Sequence, residues 1–414
     1  MDREIVVHSV RSPAPGVKVG DKAIFAYPEM RLLEEPTCYL RHLAQRSILP
    51  NTLRNNAYAL AYWINFCDAA NIDCEHADVE ELIDYRTVLQ STESPQTGRI
   101  RTASTVAQYL GAVVDFYDHK FRRGTYNGTI RKSDIPRPSR TLDNDALAHI
   151  HRGPRMKYLK SPVPIKNPQF GTMIKPLSIP SLRRLLEAIG PTASDATPEA
   201  SVRNRLIADW AWAVGLRISE ILHLQHLQFR KIGPRENAPW AHVPIEVLGK
   251  GNKRRRVAVP NWLISDTQLY IDRQRSSCVK ASKFHPDFDA LFVSDIDSPR
   301  PGHPIGPRRV EAIFSKTFVE IGCCKVVEVH EETSSSKVLR TIPTHCFHDL
   351  RHTYAVLTYH AEVQQGNAEP WKKIQAQLGH ASMTTTVDVY LQYVNGHNDF
   401  RHASLRDLIG LRRQ

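Results

Sequence analysis

RNRLIADWAWAVGLRISEILHL (residues 203–224) and EVLGKGNKRRRVAVP (residues 246–260) are the segments that most strongly predict the fold class. The apolar spacing of the first segment predicts one or two helices that break at Gly215. The second segment predicts a β-hairpin, because Gly251-Asn252 favours a tight turn and RVAV alternates as a strand does. Helical patterns dominate the other segments, so the predicted fold class is mostly α with a small β component (α+β).

Differences in composition along the chain divide the 414 residues into four parts. The predicted parts are an N-terminal extension at 1–34, a helical domain at 35–125, a basic, proline-rich linker at 126–175 and a mixed α/β domain at 176–414. In the helical domain, Asp78 with Glu81 three residues later predicts a capping box. The segment 122–175 holds six prolines and 12 Lys or Arg against three acids. A solvated linker and a linker that follows a phosphate backbone both fit this composition.

The formal net charge of +12 is concentrated in the middle of the chain. Residues 101–260 hold 27 Lys and Arg against 12 Asp and Glu, whereas the remaining residues hold 28 against 31. Such a distribution indicates a polyanion bound near the centre of the molecule. A solvated basic face has the same composition and is the alternative.

Several classes of protein are excluded. No run of about 18 apolar residues predicts a transmembrane helix, and the start MDREIVVHSV lacks the apolar core of a secretory signal. The seven cysteines form no C-x-x-C pair, which favours free thiols in a reducing compartment. We therefore expect a cytoplasmic globular protein.

Two segments place an arginine three positions from another polar residue, on one face of a predicted helix. In GLRISEILHL, Arg217 precedes Glu220, which can orient the guanidinium, although a surface ion pair is the common alternative. In HDLRHTYAVL, His348 precedes Arg351, so one face carries a proton acceptor and an anion-binding fork. Polar residues at a solvated helix start are the alternative there.

The predicted hairpin carries a run of basic residues. Lys250 stands on its glycine-flanked tip and can reach a phosphate, and Lys253 competes for that role. The following Arg254, Arg255 and Arg256 can hold backbone phosphates. Solvated turn residues explain the same run.

The segment LGHASMTTTVDVYLQY, residues 378–393, supplies the last candidates. His380 follows a predicted helix end at Gly379, and Tyr390 lies ten residues further along. Tyr390 is either a half-buried core residue or a nucleophile, if cationic groups and a base surround it.

A metal site is the competing interpretation of the histidines. His348 and His352 have the i,i+4 spacing of zinc ligands, but no H-E-x-x-H glutamate and no thiolate pair accompany them. We expect neither a metal nor a cofactor.

In order and spacing, these segments resemble the tyrosine recombinase (phage integrase) family, over about residues 40–400. The resemblance implies a helical core-binding domain and a mixed α/β catalytic domain that form a C-shaped clamp around duplex DNA. It implies a site-specific recombinase of a mobile element that works as a tetramer on two DNA sites in a prokaryotic nucleoid. Accessory DNA-bending or element-encoded proteins are expected partners.

The resemblance also implies the role of each residue that binds the DNA phosphate. Arg217 and Arg351 bind the non-bridging oxygens of the scissile phosphate and stabilise its extra charge in the transition state. His380 donates a hydrogen bond to the same phosphate. Glu220 supports the arginines and the histidine around it.

Nucleophilic attack and proton transfer fall to three further residues by the same resemblance. Tyr390 attacks phosphorus and forms a 3′-phosphotyrosine bond, so strand joining needs neither metal nor ATP. His348 assists removal of the tyrosine proton, and Lys250 protonates the departing 5′ oxygen. Tyr393 is the alternative nucleophile.

Some features leave other functions open. The 98 residues from Lys250 to His348 include a polar stretch, 325–344, that predicts a surface insertion. A type IB topoisomerase-like enzyme and a DNA-binding protein without catalysis remain alternatives. A chromosome dimer resolvase is disfavoured, because such proteins are usually shorter.

Overall fold

The computed structural model describes most of the chain in two compact units. The units comprise residues 1–169 with 331–334, and residues 170–330 with 335–414. The residues described are 4–9, 22–46, 48–94, 99–135, 158–160, 162–163, 174–197, 200–230, 232, 241–249, 253–283, 288–331 and 334–379. The four-part division drawn from composition stays a prediction.

The described residues of the first unit form four helices and several short strands. In chain order they are β1 (Glu4–Ser9), β2 (Lys22–Tyr27), β3 (Arg31–Leu32), α1 (Glu34–Gln45), α2 (Pro50–Ala69), α3 (Val79–Ser91), β4 (Glu93–Ser94), β5 (Arg99–Ile100), α4 (Ala103–Arg122), β6 (Ser133–Ile135) and β7 (Tyr158–Lys160). The predicted capping box at the start of α3 is confirmed: the Asp78 carboxylate accepts from the Glu80 N–H, and the Asp78 N–H donates to Glu81.

Aromatic side chains fill the core of the first unit. Trp63 of α2 is fully buried, and its indole N–H donates to the Tyr117 hydroxyl at 3.0 Å. That hydroxyl in turn donates to the Cys74 carbonyl at 2.6 Å, so the polar groups of both Trp63 and Tyr117 are satisfied. The strand β1 packs on the same helices, because the Ile5 N–H donates to Asn65 of α2 at 2.8 Å.

The second unit is mixed. Its elements are α5 (Ile179–Ala188), α6 (Arg203–Val214), α7 (Ile218–Leu222), α8 (Leu227–Arg230), β8 (His242–Leu248), β9 (Arg254–Pro260), α9 (Asn261–Tyr270), a π-helical turn (Ile271–Arg275), α10 (Ser276–Lys280), α11 (Pro307–Glu320), β10 (Cys324–Glu331), β11 (Ser334–Pro343), α12 (His348–Gln364) and α13 (Pro370–Leu378). The mostly helical α+β fold class is confirmed. None of the helices in the described part of the chain is long and apolar enough to cross a membrane.

Helix α6 runs through the core of the second unit and ends where the sequence predicts. Gly215 follows it at φ +76°, a left-handed conformation that favours glycine. A Cβ at this position would lie 2.5 Å from the Tyr354 ring of α12 and 2.7 Å from Leu378 of α13. Glycine therefore permits both the turn and the close packing of three helices.

Strands β8 and β9 form the predicted antiparallel hairpin, in which Val247 pairs with Arg255. Because side chains alternate along a strand, Val257 and Val259 face the core while Arg256 and Ala258 face solvent. The polar stretch 325–344, predicted to be a surface insertion, forms the strands β10 and β11, with Val326 and Leu339 exposed.

Candidate active site

A buried carboxylate lies at the centre of the candidate site. Glu220 lies in the single turn of helix formed by α7, and only 1% of its side chain is exposed. The main-chain N–H of Arg217 donates to Oε2 at 2.9 Å, and the Arg217 guanidinium donates to Oε1 at 3.0 Å. The pair expected from the sequence therefore forms, and its carboxylate is buried rather than at the surface.

A second arginine binds the same carboxylate from strand β9. Arg255 donates from Nη1 to Glu220 Oε1 at 2.7 Å and from Nη2 to Oε2 at 3.0 Å. Two parallel hydrogen bonds of this kind fix both distance and orientation. Arg255 also donates to the main-chain carbonyl of Gln377 in α13.

The third arginine, Arg351, enters from the first turn of α12 and is 2% exposed. It donates to the carbonyl of Gly215 at 2.6 Å and to the carbonyl of Leu378 at 2.7 Å. Its Nη1 lies 3.5 Å from Glu220 Oε2. Main-chain carbonyls at two helix ends thus position this guanidinium beside the carboxylate.

The electrostatics of the cluster keep Glu220 ionised. Burial alone would raise the pKa of Glu220, but hydrogen bonds from Arg255 and from the Arg217 main chain lower it, as do the charges of Arg255 and Arg351. The net result is a pKa below the usual value for glutamate. Three guanidinium charges against one carboxylate leave the cluster with two excess positive charges.

His348 begins α12, one turn before Arg351. Its pKa is lowered, first because surrounding protein partly excludes water and then because Arg351 and Arg217 repel a charged imidazole. The rings of His348 and His352 meet edge to face, with centroids 4.8 Å apart. A neutral imidazole beside two arginines is able to accept a proton.

Three of the residues chosen from the sequence, Lys250, His380 and Tyr390, lie outside the described residues. The chain on either side of Lys250 is described: the Gly249 N–H donates to the Lys253 carbonyl at 2.8 Å, which closes the end of the hairpin. Gly379, the residue before His380, ends α13 in the left-handed conformation at φ +66°.

The four basic residues after the hairpin turn occupy different environments. Lys253, Arg254 and Arg256 are exposed, and Arg254 pairs with Glu246 across the hairpin at 2.7 Å. Arg255 points to the opposite face, and 17% of its side chain is exposed. Adjacent basic residues of this run therefore differ in their surroundings: three face solvent, and Arg255 contacts other groups of the protein.

Gln377 is a contributor that the sequence did not suggest. Its side-chain amide donates to the Ala258 carbonyl at 2.9 Å and accepts from the Ala258 N–H at 3.0 Å. The amide thus binds α13 to strand β9 in the way that a neighbouring strand would. The signal available was a polar residue between the apolar Ile374 and Leu378, on the buried face of a helix.

No group of three or more His, Cys, Asp or Glu side chains is placed to hold a metal ion within the described ranges. The described part of the site combines three arginines, one buried and ionised carboxylate and a histidine with a lowered pKa. Guanidinium groups that are fixed before a reaction stabilise negative charge as it develops on a phosphoryl group. Such an arrangement suits a site that acts on a phosphodiester.

The phage integrase family model matches residues 182–397, just over half of the chain. The chain belongs to the phage integrase family.

Two relatives and one solved structure place the chain among these proteins. Tyrosine recombinase XerC of Psychromonas ingrahamii is 24% identical over 88% of this chain and 92% of that protein. Tyrosine recombinase XerC of Ralstonia pickettii is 27% identical over 49% of this chain and 51% of that protein. The structure of the XerH site-specific recombinase bound to a palindromic difH substrate shares the fold, with a TM-score of 0.51 and 16% identity over 87% of this chain and 81% of that one.

Proposed function

We propose that this protein is a site-specific DNA recombinase that cuts and rejoins strands through a covalent bond to Tyr390. The observation that carries the proposal is the buried Glu220 carboxylate with its arginines, in a chain that belongs to the phage integrase family. Net positive charge held at fixed positions is what a phosphodiester needs as it gains negative charge during attack.

In the proposed reaction, Arg217 and Arg351 bind the two non-bridging oxygens of the scissile phosphate. Arg217 is about 29% exposed and already oriented by Glu220, so it can contact DNA without rearrangement of the carboxylate. Arg351 is held by two carbonyls at 2.6 and 2.7 Å. His380, which follows the end of α13, donates a further hydrogen bond to the phosphate.

Proton transfer completes the cycle. His348, whose pKa is lowered, takes the proton of the Tyr390 hydroxyl as the phenolate attacks phosphorus. Lys250 gives a proton to the departing 5′ oxygen. The 3′-phosphotyrosine bond retains the energy of the broken phosphodiester, so the reverse attack by a 5′ hydroxyl rejoins strands without ATP. Because arginines neutralise the charge, the step requires no metal ion.

The biological setting belongs to the same proposal. We place the protein at a mobile element, where it integrates or excises DNA as a tetramer that holds two recombination sites in the nucleoid. The surplus of basic residues in the segment 101–260 supports a long path of DNA contacts. Accessory DNA-bending proteins fit a reaction that must bring two sites together.

The experiment that tests the proposal is covalent trapping. Nicked duplexes from the DNA that borders the gene let the broken strand diffuse away, so the protein stays attached to the 3′ end. We expect adducts in the presence of EDTA, mapped by mass spectrometry to Tyr390, and none with Tyr390→Phe although that variant still binds the duplex.

Tyr393→Phe is the matched control, because it removes a hydroxyl from the same segment and should leave the adduct in place. An adduct at Tyr393 would overturn the choice of nucleophile. Binding without any adduct indicates a DNA-binding protein that lacks catalysis. Adducts on any supercoiled plasmid, with relaxation but no pairing of two sites, indicate a topoisomerase-like enzyme.

A further inference from the structure

Strand β9 directs Arg255 away from its neighbours. Arg254 and Arg256 are exposed on one face, whereas Arg255 lies on the face that carries the buried Val257 and Val259. This follows from the two-residue period of a strand, which separates adjacent side chains onto opposite faces. Arg255 therefore faces the core of its unit.

The guanidinium of Arg255 is engaged by protein groups on nearly all sides. It makes two hydrogen bonds to the Glu220 carboxylate, at 2.7 and 3.0 Å. Two more reach the Gln377 carbonyl, at 3.4 and 3.3 Å. These four hydrogen bonds use four of the five N–H groups of the guanidinium. A two-pronged contact with a DNA phosphate would therefore have to displace one of them.

The fork between Arg255 and Glu220 also determines how much charge remains for a bound phosphate. Glu220 contacts Arg217 and lies 3.5 Å from Arg351 as well. Without Arg255, those two arginines alone would share the negative charge of the carboxylate. The excess positive charge of the cluster would fall from two units to one, and attraction for a phosphate dianion-like transition state would weaken.

Arg255 further fixes the ends of two segments that lead to other residues of the proposed site. A Cβ on Gly379 would lie 2.8 Å from its Cδ and Nε, so the end of α13 packs directly on this side chain. A Cβ on Gly249 would lie 3.2 Å from its Nη1. In the sequence, Gly249 is followed by Lys250 and Gly379 is followed by His380.

We propose that Arg255 is a positioning residue of the recombinase, and not a DNA contact. It neutralises and orients Glu220, so that Arg217 and Arg351 keep their charge and geometry for the scissile phosphate, and it holds the end of α13 against the hairpin. This inference rests on the proposed function, because it concerns the same reaction.

The test compares full-length variants on the nicked duplexes used for trapping and on a 30-bp intact duplex of the same DNA. Arg255→Gln should lower the rate of adduct formation at saturating DNA by about 100-fold, the size of effect seen when one preorganised donor is lost. Its affinity for the intact duplex, and the slope of log affinity against log salt, should match those of the wild type. Arg255→Lys restores the positive charge but not the two parallel hydrogen bonds to Glu220, so it should recover part of the rate.

Two sets of control variants separate this role from others. Arg254→Gln and Arg256→Gln should show the opposite pattern, with weaker binding and a salt slope reduced by about 0.9 for each phosphate contact removed. Arg205→Gln breaks another buried arginine–carboxylate pair of the same unit, with Asp209, at 3.1 Å. It should destabilise the fold while leaving the rate per folded molecule unchanged.

Other results would overturn the positioning role of Arg255, or that role together with the recombinase function. A reduced salt slope in Arg255→Gln, or an unchanged rate of adduct formation, would overturn the positioning role while the recombinase function stands. An equal loss of rate in Arg205→Gln would show that Arg255 matters only for folding. A wild type that neither binds DNA nor forms adducts would overturn both proposals together.

Discussion

The contacts of Glu220 with Arg217 and with Arg255 differ in how far the sequence predicts them. The spacing of Arg217 and Glu220 predicts a contact on one helical face. The contact forms, but Arg217 has an extended backbone and caps the start of α7. The partnership of Glu220 with Arg255 joins positions 35 residues apart and depends on the register of a hairpin. Three consecutive arginines give no sign of that register unless the alternation of Val257 and Val259 is extended backwards along the strand.

At this scale, the lowered pKa of His348 predicts a pH dependence. Neutral imidazole accepts the tyrosine proton, so adduct formation at saturating DNA should be constant near pH 7. It should fall about tenfold for each pH unit below the His348 pKa, which lies under the usual value of about 6.5. Rates from pH 5 to 8 on a trapping duplex measure this dependence.

His348→Gln should remove that acidic limb, whereas His352→Gln, one turn further along the same helix, should retain it. An acidic limb that persists in His348→Gln would assign the titration to another group. The same pKa shift affects the stability of the folded state. Because the pKa of His348 is lower in the folded than in the unfolded state, its stabilising contribution is complete above the unfolded pKa and is lost as the pH falls through the folded pKa.

At the scale of elements, the sequence predicts α6, the break at Gly215, the hairpin β8–β9 and α12, and all four are confirmed. Local patterns suffice there, because apolar periodicity and turn residues act over a few positions. The docking of α13 on β9 was not predicted. It depends on hydrogen bonds from the Gln377 amide to the Ala258 carbonyl and from Arg255 to the Gln377 carbonyl. The sequence does not show which partners such main-chain groups will have.

Gly215 provides a prediction about these elements. Gly215→Ala should destabilise the protein by about 1–3 kcal/mol from the left-handed backbone alone, and by more because the new methyl would meet Tyr354 at 2.5 Å. Urea unfolding measures the loss. Gly306→Ala is the control, since a Cβ there meets nothing within 4 Å, and an equally large loss in that variant would contradict the steric argument.

At the scale of the whole molecule, the composition indicates a polyanion as a partner, with a solvated basic face as the alternative, and the structure divides the chain into two compact units. The resemblance adds a C-shaped clamp, which stays a prediction, as do the roles of Lys250, His380 and Tyr390 beyond the described residues. A charge surplus can indicate a nucleic acid as the partner but not its base sequence, because phosphate contacts carry no base information.

The basic segment 101–260 predicts strong dependence of DNA binding on salt. With six or more phosphates neutralised, affinity for a duplex should fall by about 10³-fold or more between 50 and 200 mM salt. Fluorescence anisotropy with a labelled duplex measures the slope. An affinity that hardly changes over this range would contradict a DNA path along the surplus of 15 positive charges in that segment.

The cluster around Glu220 also bears on when in its lifetime the protein can act. Arg351 binds a carbonyl 136 residues earlier in the chain, and Arg255 binds one 122 residues later. During translation the early segments leave the ribosome long before α12 and α13 exist, so the arginines around Glu220 are not yet assembled. A nascent chain that has not yet reached α12 and α13 therefore lacks this cluster, which can form only after residues up to Leu378 have been made.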